Sequence, residues 1–270
     1  MRRLFFLAVL GVAMTVSAID QTTNNLIVPQ SSSPQIVIPA AGSVQGAEGT
    51  FFRSEINILN YGSTAATLEF HWYPRPGEGV SGFTQTTLPA GSGIGSEDFV
   101  SQILGRQGLG AILIRAVNAT GVDTTARIYA SARIWTPQAN NPAGTNSQTF
   151  NVIPLSAINS QRLALVGLRR GTQYRLNVGI VNLDPVNEQT FQITVGPRVP
   201  TEVTPLTVPA QRMQQINLPG DTQPGLQVHV ENVTPSATRT NAWMAYGSSV
   251  DNVTGDSWSV MGFTPANFIP

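Results

Sequence analysis

The chain has 270 residues, 15 of them arginine and 15 acidic, so its formal net charge is zero. Charged residues make up only 11% of it, and it contains neither lysine nor cysteine. This balance argues against electrostatic binding of nucleic acid, which needs clustered positive charge, and the absent thiols exclude cysteine catalysis and cysteine-based zinc sites.

Residues 1–18 read as a secretory signal. Arg2 and Arg3 supply the positive start. Leu4 to Val16 form an apolar run too short for a comfortable membrane span, and Val16-Ser17-Ala18 offers small residues before a cut near Ile19. The mature protein is therefore expected outside the cytoplasm, either in the periplasm or at the cell surface and beyond. Disulfides are common there, so a chain without cysteine has to be held by its core alone. Residues 19–34 form a polar leader ending in Ser31-Ser32-Ser33-Pro34, expected to be mobile or to swap strands.

From residue 35 onward apolar residues recur with the period of two that strands require. Phe52, Ser54, Ile56 and Ile58 share one face, and Arg53, Glu55, Asn57 and Leu59 share the other. Leu68, Phe70 and Trp72 follow, then Ile112, Ile114 and Ala116, then Ile128, Ala130, Ala132 and Ile134. One segment reads as helical: Ser96 is placed to cap residues 97–104, and Gly105 to end them. Residues 35–137 form a first module. Residues 138–149, with Asn140-Asn141-Pro142 and Gly144, read as a linker. A second module spans 150–263, and 264–270 form a tail.

The second module repeats the first. Phe52-Arg53-Ser54-Glu55-Ile56-Asn57-Ile58-Leu59-Asn60 recurs as Tyr174-Arg175-Leu176-Asn177-Val178-Gly179-Ile180-Val181-Asn182. Leu88-Pro89-Ala90 answers to Val208-Pro209-Ala210, and Ile112 to Asn118 answers to Leu226 to Asn232. Phe191, Ile193 and Val195 match Leu68, Phe70 and Trp72, while Trp243 and Ala245 close the series. Such a repeat has the size of a domain rather than of a solenoid unit. The helical insert has no counterpart, since Arg212 to Leu218 reads as extended. Pro74 to Gly82 and Gly196 to Pro205 read as long loops at equivalent places. The pattern predicts an all-β chain of two tandem antiparallel β-sandwich domains, with one short helix in the first.

The chemical inventory is thin. His71 and His229 are the only histidines, and alternation places both on outward strand faces. No Gly-x-Ser-x-Gly elbow or His-Glu-x-x-His motif is present. Gly91 to Ser96 precedes the helix but lacks the strand context of a phosphate loop, and Glu97 and Asp98 would repel an anion. Asp251, Asn252 and Asp256 make an oxygen-rich segment that is a candidate calcium turn. It lacks the alternating carboxylates and distal glutamate of an EF-hand, and a plain turn with Gly255 at positive φ competes with it. Apart from calcium there, no cofactor is expected. Asn118, Asn232 and Asn252 fit the glycosylation pattern, but the first two fall where an asparagine turn is expected. Tyr73, Tyr129 and Trp135 alternate away from the core and are candidates for stacking on a sugar or a protein partner.

The series Arg53, Asn60-Tyr61-Gly62-Ser63, Leu88-Pro89-Ala90, Asp98-Phe99-Val100, Ser131-Ala132-Arg133-Ile134 and Gly144-Thr145 resembles a repeat of exported bacterial proteins with tandem immunoglobulin-like domains. Residues 248–256 resemble the same group's closing turn. The resemblance implies two tandem immunoglobulin-like sandwiches in a secreted binding or structural module, without a catalytic motif to transfer. The leading expectation is an exported non-enzymatic interaction or structural protein, with an extracellular or cell-surface protein or polysaccharide as partner and edge strands as a route to oligomers. Carbohydrate binding through the exposed aromatics is the first alternative, and an enzyme of unrecognised type is the second.

Overall fold

A computed structural model describes residues 32–46, 49–138, 141–196 and 202–264. The expected signal, most of the leader and most of the tail lie outside them. In the first half, the period-two pattern builds β1 (Gln35–Gln45), β2 (Phe51–Asn60), β3 (Ala66–Pro74), β4 (Gly82–Leu88) and β5 (Gly93–Ser96). The helix α1 (Phe99–Gln102) follows, then β6 (Gly108–Asn118), β7 (Gly121–Val122), β8 (Ile128–Gln138) and β9 (Asn141–Phe150). Beyond β10 (Ile153–Pro154) and a 3-10 turn at Leu155–Ala157, the second half holds β11 (Arg162–Arg170), β12 (Tyr174–Asn182), β13 (Gln189–Val195) and β14 (Glu202–Val208). It closes with β15 (Arg212–Asn217), β16 (Gln223–Asn232), β17 (Trp243–Asp251) and β18 (Ser257–Met261).

Every described strand pair is antiparallel, and the strand order occurs twice. The first half has an arm β4-β3-β6-β1 and an arm in which β5 and β8 flank β2 and β9 follows β8. The end of β1 bends across from β6 to β2 and joins the arms into one sheet. In the second half the arms are separate sheets, β14-β13-β16-β11 and β15-β12-β17-β18. Each half buries the face predicted from alternation. Ile56, Ile58, Leu68, Phe70, Trp72, Ile112, Ile114 and Ile128 meet in the first core. Leu176, Val178, Ile180, Phe191, Ile193, Val228, Val230 and Trp243 meet in the second. Each such side chain contributes about 1.5–3 kcal/mol by leaving water.

A fully buried asparagine closes each core. The Asn60 amide donates from Nδ2 to the carbonyls of Thr64 (2.8 Å), Leu88 (3.1 Å) and Pro89 (3.1 Å), and its Oδ1 accepts from Gly62 N. The Asn182 amide donates to Asn187 O (2.9 Å), Val208 O (3.0 Å) and Pro209 O (3.1 Å), and accepts from Asp184 N. The repeated asparagine and the repeated Leu-Pro or Val-Pro pair are therefore two ends of one contact. A threonine pair recurs beside it: Thr67 and Thr87 hydroxyls lie 3.1 Å apart, as do those of Thr190 and Thr207.

The halves touch through outer faces. Val37, Tyr73, Ala111 and Leu113 from the β1-β3-β6 surface pack on Val181, Leu183, Met213 and Met244 of the second half. Beside them Ala40 and Phe150 pack on Tyr246, whose ring crosses Phe150 edge-on at 5.3 Å. Tyr246 also packs against Gly179, where a Cβ would stand 2.1 Å from the ring, so only glycine admits it. Ser81 Oγ donates to Gln211 O, and the Arg212 guanidinium donates to Gly79 O across the seam.

Three expectations change. Residues 138–149 are not a free linker: β9 pairs with β8, and Ser257 and Ser259 of β18 donate to its Ser147 and Thr149 carbonyls. Its polar residues are explained by two half-wet faces. The helix covers only Phe99–Gln102, and its cap is Asp98, which accepts from Ser101 N. Ser96 lies two residues before the cap, at the end of β5; its hydroxyl accepts from Asp98 N and donates to Gln102 Oε1. Pro205, read as loop, lies within β14.

Asn60→Ala and Asn182→Ala each strand buried carbonyls in their own half. Each variant is expected to lose roughly 1–3 kcal/mol in urea denaturation followed by tryptophan fluorescence.

Candidate functional site: sheet faces and edges

The candidate aromatics do not form one platform. Tyr73 faces outward from β3, as alternation requires, but the second half covers it and only 5% of it is exposed. Burial pushes its phenol pKa up. Strand parity cannot reveal a cover supplied by a distant part of the chain. Tyr129 and Trp135 do share one outer face, that of β8. They stand roughly 20 Å apart along the strand, from six residues at the usual rise. Between them the Arg133 Nε donates to Glu55 Oε2 (2.6 Å). Trp135 itself is occupied: its indole donates to Glu97 O (2.9 Å), and the Arg53 guanidinium sits 5.5 Å from its ring and 4.8 Å from that of Phe51.

Tyr129 borders a trough of about 360 Å³ lined by Asn57, Leu59, Gly93, Gly95 and Ser131. At Gly93 the missing side chain is a packing requirement, since a Cβ would lie 2.7 Å from Ile58 O; at Gly95 a Cβ would meet only the exposed Asn57 side chain, 2.2 Å from its Oδ1. The second half has the same face, but it is filled and covered. Counting from the equivalent Asn60 and Asn182, the ladders place Val181 at the position of Leu59, Met213 at Gly93, Met244 at Tyr129 and Tyr246 at Ser131. Those four side chains, with Leu183, form the docking surface. One repeated face thus became a seam, and its twin stayed open with Asn57 and Ser131 exposed.

The Asp251–Asp256 segment is a turn between β17 and β18 with Gly255 at φ 75°. Asp251 Oδ1 accepts from Val253 N (2.7 Å) and Thr254 N, and its Oδ2 accepts from Gln173. These bonds, chiefly the one from Val253 N, hold its carboxyl below the usual range. Asn252 Oδ1 accepts from Arg175, and Asp256 Oδ1 accepts from Ser257 N. Each proposed calcium ligand already accepts a hydrogen bond from the protein, Asn252 from Arg175 of β12. Among the described residues, no group of three or more His, Asp or Glu side chains is placed to hold a metal.

The histidines lie on different sheets. His71 Nε2 is 2.8 Å from Glu69 Oε2, and its ring stacks on Phe83 at 5.2 Å. His229 is buried rather than solvated, and burial, together with nearby Arg162, lowers its pKa. It sits between Ala164 and Thr194 on the outer face of β16. The turn asparagines behave as expected: Asn118 and Asn232 accept from Thr120 N and Thr234 N. Asn232 is fully buried, so it offers no glycan site.

Sequence reasoning expected edge strands as a route to oligomers but did not say which strands are edges. β4 and β14 are the outermost strands of equivalent arms. β14 is latched: the buried Arg170 donates from Nη1 and Nη2 to both Glu202 oxygens at 2.7 Å. β4 carries no charge and no proline. Its signal was present as the plain run Gly82 to Leu88, but an edge is defined only by which neighbour is missing. A scan of protein-family models, a search of curated proteins and a search of solved structures each found no match. No described helix is long and apolar enough to cross a membrane.

Two measurements check these readings. Calcium is expected to leave the melting temperature unchanged relative to chelator; a calcium-dependent rise would restore the metal turn. The hydrogen bonds from Arg170 hold the Glu202 carboxyl below its ordinary range. Its stabilisation is therefore present above the unfolded pKa of about 4.3 and disappears as pH falls through the lower folded value. The melting-temperature gap between wild type and Glu202→Gln should be present near neutral pH and close as the pH falls through the lowered folded value.

Proposed function

We propose that the chain is an exported, non-enzymatic interaction or structural protein, acting in the periplasm or at the cell surface. In this reading each half is an immunoglobulin-like β-sandwich module, and the two modules form one stiff unit that meets other macromolecules at its free faces and edges. The observation that carries it is the difference between twin surfaces. In the second half the β15-β12-β17 face is apolar and buried on the first half, and the β14 edge is latched. In the first half the equivalent face and edge are free among the described residues. Duplicated modules with unequal surfaces suit spacing and two-site binding better than chemistry. The signal-like residues 1–18 support export.

Carbohydrate binding is a second reading, favoured by the open trough. Tyr129 presents a ring beside Asn57 and Ser131, an arrangement suited to stacking on a sugar face with flanking hydrogen bonds.

Immobilised mature protein is expected to retain a component of the envelope fraction of its source cells, and Tyr129→Ala to leave that capture intact. Binding to a purified polysaccharide that weakens about tenfold or more in Tyr129→Ala would favour the sugar reading instead. Failure to retain any envelope component would count against the interaction reading.

A further inference from the structure

The hydrogen-bond phase of the two outermost strands can be read from their neighbours. In an antiparallel pair, directly opposed residues alternate between exchanging backbone bonds and not exchanging them. Arg75 N donates to Leu109 O, directly opposite in the β3-β6 register, so odd-numbered residues of β3 bond toward β6. Even-numbered residues of β3 then bond to β4, where Leu68 opposes Thr86 and Phe70 opposes Thr84. The N–H and C=O groups of Phe83, Gln85 and Thr87 are left pointing away from the sheet. In the second half, Gly196 N donates to Gln227 O and Val233 N to Thr190 O, again between opposed residues. The same reasoning leaves Val203, Pro205 and Thr207 at the outer edge of β14.

The buried asparagines put these edges in phase. Asn60 holds Leu88 O and Asn182 holds Val208 O, so Leu88 and Val208 are equivalent. Three residues earlier stand Gln85 and Pro205. The central outward N–H of the β4 edge is thus missing from its twin, because proline has none. Proline and charge at an edge are the usual guards against strand addition. The second half has both, in Pro205 and the Glu202–Arg170 latch. The strand β4 has neither, although the Arg106 guanidinium lies beside Gly82 at its start.

We propose that β4 is a strand-addition site occupied by the β4 strand of a second copy of this chain, giving a two-fold dimer with a continuous sheet. This deepens the interaction reading above and rests on it. The self-pairing is centred on Gln85 opposite Gln85, with Phe83 opposite Thr87 on either side. All three outward residues exchange both backbone bonds. An aromatic residue meets a β-branched one, and no like charges face each other, since residues 82–88 carry none. Phe83 is 56% exposed and Val80 is 66% exposed beside it, so apolar surface flanks the edge. A two-fold contact uses the same patch on both partners and closes on itself. Because both partners use β4, the contact stops at two copies, Pro205 guards the equivalent edge of β14, and the dimer presents two Tyr129 troughs.

The test is the mass of the purified full mature chain by analytical ultracentrifugation over a range of concentrations. Wild type is expected to reach twice the chain mass. Gln85→Pro, which installs the guard of Pro205 without removing a bond to β3, is expected to weaken the dimer by about 100-fold or more with an unchanged melting temperature. Gln85→Lys and Gln85→Glu place like charges opposite each other and are each expected to be monomeric. Mixed one to one, they are expected to dimerise. A monomeric wild type, a dimer indifferent to Gln85→Pro, or a mixture that stays monomeric would overturn the proposal. So would a monomer whose Phe83, Gln85 and Thr87 amides resist hydrogen exchange, because its own chain would then cover the edge. A monomer that still captures an envelope component sinks only the self-pairing; a dimer that captures nothing sinks only the wider reading.

Discussion

The two buried side-chain amides set the frame on which everything else is measured. Asn60 and Asn182 each tie the end of a central strand to the carbonyls that end the outer strand of the opposite arm. A buried carbonyl without a donor costs about 1–3 kcal/mol, so the amide is held by several acceptors at once. The consequence is positional. Each half places its outer strand at the same phase relative to its core, which makes residues in the two halves comparable one by one.

That common frame shows how little is needed to change what a sheet surface does. A pleated strand buries one face for any sequence with the right alternation. The other face is free to vary. At one set of equivalent positions the chain carries Leu59, Gly93, Tyr129 and Ser131, and the result is a shallow open trough. At the matching set it carries Val181, Met213, Met244 and Tyr246, and the result is a seam between the halves. Gly179 is part of the same adaptation, because the Tyr246 ring lies where any side chain would stand. The halves are thus joined by a packed surface, with β9 and β18 linked across it by serine hydroxyls.

Edges obey a different economy. An outer strand keeps unsatisfied backbone groups in water at little cost, but they remain able to pair with another strand. Proline at the central one of the three outward-facing positions of β14 weakens that ability without disturbing the inner ladder. It also explains why a residue that usually marks a loop sits inside β14. The buried Arg170 is compensated by two charge-assisted bonds to Glu202, which tie the start of the same strand to the base of the second core.

Strand faces were legible in the sequence because a period of two is a local property: Ile56, Ile58, Val178 and Ile180 are buried as their spacing required. The duplication was legible because the same asparagine and the same proline pair had to recur wherever the same cage recurs. Four features were not. Tyr73 reads as exposed on its own strand and is covered by residues more than a hundred positions away. β9 reads as a linker because both its faces are polar, and its order comes from β8 and β18. The trough and the open edge are defined by what does not pack against them. Alternation alone marks the core-facing side of β2, β3, β6 and β8 and of β12, β13, β16 and β17. Only the tertiary structure decided which outer faces and edges are covered, since coverage depends on contacts between segments that no local pattern encodes.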